Sequence, residues 1–139
     1  MTGMRFFFDA NMSPRLADMA KAYVDNMHFI KHHDEMFPQG TTDVDWIAAL
    51  GKDDPKWVVI SGDSAILRNK AEKAVLYEAN LTFFRMPKGW PEIPFPDMVW
   101  KFFRVWPQII SSADVSPPKQ FDVQMGQNPK VIMVGPTRY

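Results

Sequence analysis

Four aspartates stand where side chains could do chemistry. Asp9 ends the apolar run of "RFFFDANMSP", Asp43 and Asp45 sit two apart in "GTTDVDW", and Asp63 follows the apolar run of "VVISGDS". A carboxylate held beside a core is costly unless something compensates it. Carboxylates with few counter-charges repel one another where they meet. Hard divalent cations such as Mg²⁺ or Mn²⁺ relieve that repulsion through oxygen ligands. A metal between Asp9, Asp45 and Asp63, with Asp43 beside Asp45 as a further ligand, would suit activation of water and stabilisation of charge on a phosphodiester. Asn11 could hold an outer-shell water and the Ser61 hydroxyl could orient a ligand. Ser64, directly behind Asp63, is a supporting residue of the same cluster.

The elements that must position these residues are legible in outline. "MRFFFDA" reads as a buried strand ending at Asp9. "SPRLADMAKAYVDN" is a helix with Ser13 as N-cap and Pro14 in its first position, and its core face is predicted to be Leu16, Met19, Ala20 and Tyr23. "HFIKHH" is a short second strand. "FPQGTTDVD" is a loop that turns into a helix near Thr42 and carries Trp46, Ile47 and Leu50 inward. "KWVVISGD" is the clearest strand, β-branched and bounded by Gly62. A helix capped by Asp63 or Ser64 follows and closes near Asn80. "LTFFRM" is a fourth strand. "PDMVWKFFRVWPQIISS" is a last helix that Pro107 is expected to kink or interrupt. "KQFDVQMGQNPKVIMVGP" suggests a hairpin about "GQNP".

Strand–helix alternation with short connections implies an α/β fold, a central mainly parallel sheet between helices. Ligands of such sheets lie beyond the carboxyl ends of the strands. If the first and third strands are neighbours, Asp9 and Asp63 point into one crevice, and the turn carrying Asp43 and Asp45 can face the same place.

Each aspartate also has a purely structural reading. Asp9 can close a loop, Asp63 can cap the next helix, and Asp43 competes with Thr42 as an N-cap. The order of the clusters along the chain favours a shared site.

Composition narrows the function classes. The 139 residues suit a single domain over 1–139, with a core of about 4–90 and a C-terminal helix and hairpin extension over 95–139. The 14% aromatic content argues for a packed globular chain. No apolar run is long enough for a membrane span, and "MTGMRFFF" is too short and too quickly acidic for a signal peptide. The absence of cysteine removes disulfides and thiolate metal sites and fits a cytoplasmic setting. Zero net charge argues against tight nonspecific nucleic-acid binding. Residues 1–64 nevertheless carry net −4 and residues 65–139 net +4, a split that could set a cationic surface beside an acidic pocket.

"FFFDANMSPRLA", "GTTDVDWIAAL" and "VVISGDSAI", in that order and spacing, resemble the PIN-like superfamily, and within it the compact group of VapC-type toxin ribonucleases. The resemblance covers about residues 4–90. It implies a three-layer PIN-like fold and a metal-dependent endoribonuclease, the toxin of a toxin–antitoxin pair, using Mg²⁺ or Mn²⁺ on an RNA substrate. It also suggests an antitoxin partner and a homodimer. Asp9 matches the first acidic position, Asp43 or Asp45 the middle one, and Asp63 the strand-end one. Many members carry a fourth acidic position; Glu78 and Asn80 are the only residues offered for it, and neither matches a motif.

Two other classes compete. A haloacid dehalogenase-type phosphatase also has a strand entering D-x-D and a second ending in Ser or Thr, and "FFFDANMS" and "VVIS" imitate both. Asn11 stands where that chemistry needs a proton donor, which asparagine cannot be. The other rival is a PIN-like module that binds RNA or protein without cutting. His28, His32 and His33 read as strand residues rather than metal ligands. The aromatics of "VWKFFRVW", with Lys101 and Arg104, read as core or dimer surface before RNA-stacking residues. "RNKAEK" reads as a solvated face with a possible reach to phosphates.

Overall fold

Three phenylalanines in a row bury the first strand, β1 (Arg5–Phe8), on both faces. Successive side chains of a strand point to opposite sides, so Phe6 and Phe8 enter one core and Phe7 the other. The computed structural model describes residues 3–62, 70–115, 117–126 and 128–136. In chain order the elements after β1 are α1 (Pro14–Val24), β2 (Phe29–His32), α2 (His33–Met36), α3 (Asp43–Gly51), β3 (Trp57–Ser61) and α4 (Lys70–Ala79). Then come β4 (Thr82–Arg85), a 3₁₀ turn (Trp90–Glu92), α5 (Phe95–Ala113), β5 (Lys119–Gln124) and β6 (Lys130–Pro136).

The strands form one sheet in the order β2-β1-β3-β4-β5-β6. All neighbours run parallel except β5 and β6. Helices α1 and α5 cover the face that takes Phe6, Phe8, Val58, Ile60 and Phe84. Helices α3 and α4 cover the face that takes Phe7, Trp57, Val59 and Phe83. The result is the expected three-layer α/β arrangement, with both cores rich in aromatic rings: Phe8 meets Trp106 edge-on at 5.9 Å, and Phe7 lies 5.0 Å from Trp46. Among the described residues no helix is long and apolar enough to cross a membrane.

Three expectations change. The inward face of α1 is Leu16, Ala17, Ala20 and Val24, while Met19 and Tyr23 are exposed. Both sets have helical spacing. The small pair Ala17 and Ala20 lets the helix lie close to the sheet, and Tyr23 packs outside against Phe103 instead. Second, Pro107 does not interrupt α5, which is continuous over 19 residues. An interior proline costs about 3 kcal/mol, and burial of Phe102, Val105, Trp106 and Ile109 around it offsets that. Third, "HFIKHH" is a strand only to His32, and His33 opens the one-turn helix α2. The hairpin of β5 and β6 is present, and it extends the main sheet through β4 rather than standing apart from it.

Candidate functional site

The chain leaves β1 at Phe8 and returns to β2 on one side and β3 on the other, so the strand order reverses about β1. Open α/β sheets bind ligands at such a switch point, outside the carboxyl ends of the strands. Asp9 is the residue there. Its N–H continues the ladder to the Ile60 carbonyl at 3.0 Å, which locks its backbone to β3.

Asp9 is 2% exposed. Oδ1 accepts from the Asn11 N–H at 2.9 Å, and Oδ2 accepts from the Ser61 hydroxyl. The Met12 N–H closes the turn on the Asp9 carbonyl at 3.0 Å. Gly62 completes the cradle: a Cβ there would fall 2.9 Å from the Asn11 carbonyl oxygen, so only glycine lets the two loops meet. Burial pushes the Asp9 pKa from 3.8 up to about 6, against hydrogen bonds from Ser61, Asn11 and Gly62, with the negative charge of Asp43 adding to the rise. Among the described residues, none of the groups acting on it is a cation.

Asp43 reaches this site from the first turn of α3. The side chain of Thr42 caps that helix on the Asp45 N–H at 3.2 Å, which leaves Asp43 out of the capping role. Asp43 instead accepts from the Trp46 indole at 2.8 Å, which fixes its carboxylate half-buried. Asp45, in the same turn, is exposed. The structure therefore brings Asp9, Ser61, Asn11 and Asp43 together, with the Asn11 side chain exposed and its backbone committed to Asp9. Asp63 and Ser64 lie outside the described residues, one step beyond Gly62. Among the described residues no group of three His, Asp or Glu side chains is gathered as a metal site. Asp9 and Asp43 offer only hard oxygen donors, and among the described residues no cation acts on Asp9, so a hard divalent ion such as Mg²⁺ or Mn²⁺ would suit this pair.

Sequence reasoning missed two parts of this edge. The first is His32. Its Nδ1 accepts the Asp34 N–H at 3.1 Å, so the ring proton sits on Nε2, which donates to the Met12 carbonyl at 2.7 Å. His32 thus ties β2 to the turn that presents Asp9. Glu35 supports it: burial acts against the charge, but the His32 N–H at 2.8 Å and the Lys21 ammonium hold Glu35 below the usual glutamate range. The other histidines are structural too. His28 accepts the Met4 N–H at 3.0 Å, and His33 packs on Phe7, Phe37 and Trp46.

The second is the pair Arg85–Asp122, where two guanidinium N–H groups meet two carboxylate oxygens, both at 3.0 Å. Arg85 ends β4 beside Ser61, and β5 supplies Asp122 in register with it. A charge ending an apolar strand, the signal that pointed to Asp9, was present in "LTFFR" as well. Glu78 and Asn80 are exposed on α4 and after it. In the aromatic helix Phe102 and Trp106 are core, whereas Trp100 is exposed with Lys101 and Arg104 over its ring at 5.7 Å each.

Neither a curated protein nor a solved structure matches the chain. The model of the family described as PIN like domain matches residues 4–88, the stretch that holds Asp9, Asp43, Ser61 and Arg85. That is more than half of the 139 residues, and the chain belongs to the PIN-like domain family.

Proposed function

We propose that the chain is a metal-dependent endoribonuclease. The observation that carries this reading is Asp9: a carboxylate buried at the switch point of the sheet, faced by a second carboxylate and, among the described residues, by no cation. Membership of a family that commonly holds nucleases supports it. Asp9 and Asp43 would hold Mg²⁺ or Mn²⁺, with Asp63 and Asp45 as the further oxygen donors named by the sequence. When bound, the ion supplies charge stabilisation for a phosphodiester and lowers the pKa of water. The protein's part is placement. Ser61 and the Asn11 N–H hold the Asp9 carboxylate in one orientation, the Trp46 indole does so for Asp43, and His32 ties the Asp9–Met12 turn to β2. Single-stranded RNA suits the open edge better than a duplex, because unstacked bases can reach it. A toxin role with an antitoxin partner, in the cytoplasm and as a homodimer, is the finer form of this proposal and follows from the VapC-like motifs.

The test is Mn²⁺ titration followed by incubation with single-stranded RNA and with phosphomonoesters. Mn²⁺ binding that raises the melting temperature, together with RNA cleavage that weakens with salt, is the expected result. Cleavage of phosphomonoesters alone would point to phosphatase chemistry. RNA binding without Mn²⁺ binding would mark a module that does not cut.

A further inference from the structure

The geometry points to a nucleotide subsite in the cleft between the carboxyl ends of β4 and β5, where the chain holds the ribonucleotide next to the one whose phosphate lies at Asp9. The inference rests on Asp9 as the hydrolytic centre. The cleft has a volume of about 550 Å³, within the range of small-ligand sites. Its walls are of two kinds. Pro87 and Met125 give a partly exposed apolar surface against which a base can lie, and Arg85, Lys88 and Gln124 give polar ends that can reach phosphate and base edges.

The cleft and the site adjoin along the carboxyl edge of the sheet, where Arg85 of the cleft lining stands in register with Ser61. Ser61 donates its hydroxyl to Asp9 and accepts the Met86 N–H on its carbonyl at 2.8 Å. Ser61 is thus bonded both to Asp9 and to Met86, a residue of the cleft lining. Two strand spacings, ~10 Å, separate β1 from β4, a distance that the neighbouring nucleotide of an extended strand covers.

Charge and rigidity favour this use. Asp122 neutralises Arg85 and fixes its guanidinium plane, while Lys88 is exposed and makes no ion pair among the described residues. The backbone under Lys88 is held in place. Gly89 takes φ +82° to turn the chain, the Trp90 N–H binds the Pro87 carbonyl at 3.1 Å, and the Trp90 ring is fully buried. A lysine without an ion pair among the described residues, on a fixed turn at the rim of this cleft, is suited to a phosphate contact.

The experiment uses wild-type protein in EDTA, so that RNA is bound and not cut, and a fluorescein-labelled single-stranded RNA octamer containing 4-thiouridine. Lys88→Ala is compared with Lys52→Ala, which removes the same charge at the C-terminus of α3, the opposite edge of the sheet. The expected result is a fivefold to tenfold weaker Kd for Lys88→Ala, a salt slope lower by ~0.7 for the one lost phosphate, and little change for Lys52→Ala. Photo-crosslinks should map to the segments carrying Met86 and Met125. Equal affinities for all three proteins, equal losses in both variants, or crosslinks elsewhere overturn the subsite. Absence of RNA binding in a protein that binds Mn²⁺ overturns it too. If Mn²⁺ does not bind but the Lys88 dependence holds, the hydrolytic reading falls and the subsite stands as an RNA contact.

Discussion

Two aspartates at the carboxyl edge of one sheet have opposite surroundings. Asp122 is 30% exposed and clamped by both arms of Arg85. Asp9 is 2% exposed and is met by a hydroxyl, backbone N–H groups and another carboxylate. The first has its counter-charge built into the chain. The second is stabilised by hydrogen bonds that favour its anion but do not repay its burial, so its proton is held up to about pH 6. A carboxylate that is already paired offers little to a metal ion. One that is buried, oriented and unpaired gains most from a cation that arrives from outside.

The sharpest way to break this contrast is Asp9→Asn. It should abolish measurable Mn²⁺ stabilisation and lower RNA cleavage by about a hundredfold or more, ~3 kcal/mol in the barrier. Asp122→Asn should leave Mn²⁺ affinity unchanged. Calorimetric titration of both variants reads the difference, and equal losses would erase the distinction.

The next effect is in the pH dependence of metal-free stability. The Asp9 pKa is raised in the folded state, so the fold binds its proton more tightly than the unfolded chain does. Its contribution is therefore fully present below about pH 4 and is lost as pH rises toward 6. The loss is on the order of 3 kcal/mol. Asp9→Asn should flatten that part of the curve, be more stable than wild type at pH 8, and lose the advantage at pH 4. Urea midpoints across this range measure it, and a wild-type curve that climbs from pH 4 to 7 in parallel with the variant would contradict the assignment.

Smaller effects come from the supports. Ser61→Ala removes the hydroxyl donor from a buried carboxylate and should cost about 1–2 kcal/mol at pH 8 and less at pH 4. Asp122→Ala frees a partly solvated Arg85 and should cost about 1 kcal/mol. Asp43→Asn keeps the acceptor for Trp46 and removes only a repelling charge, so apo stability should move by a few tenths of a kcal/mol upward. Thermal melts in EDTA rank the three.

How much of this could be read from the chain depends on whether the signal was local. Ser13 and Pro14 start α1 as expected because capping is decided within one turn. Asp9 beside Ser61 was legible because two long buried strands in a parallel fold tend to be neighbours, and β1 pairs with β3 from Arg5↔Trp57 to Phe8↔Ile60. The pairing of Arg85 with Asp122 crosses 37 residues and depends on β5 docking on β4, which no short motif encodes. Met19 and Tyr23 misled because two apolar stripes of equal period run along α1, and only the closeness of the sheet selects the one with alanines. His32 was hidden because a histidine that bridges two backbone groups has no spacing signature.

The run Phe6-Phe7-Phe8 has one further consequence. Alternation normally sets the phase of a strand, since a slip by one residue exchanges inside and outside. Here such a slip would replace phenylalanine by phenylalanine in most slots, and the aromatic run cannot tell one phase from the next. The ends must do it. Arg5 lies 4.5 Å over the Trp57 ring at one end, and Asp9 takes the Ser61 hydroxyl at the other. These two residues mark the register of β1, so the carboxylate proposed to take a cation is also the mark from which the strand is measured.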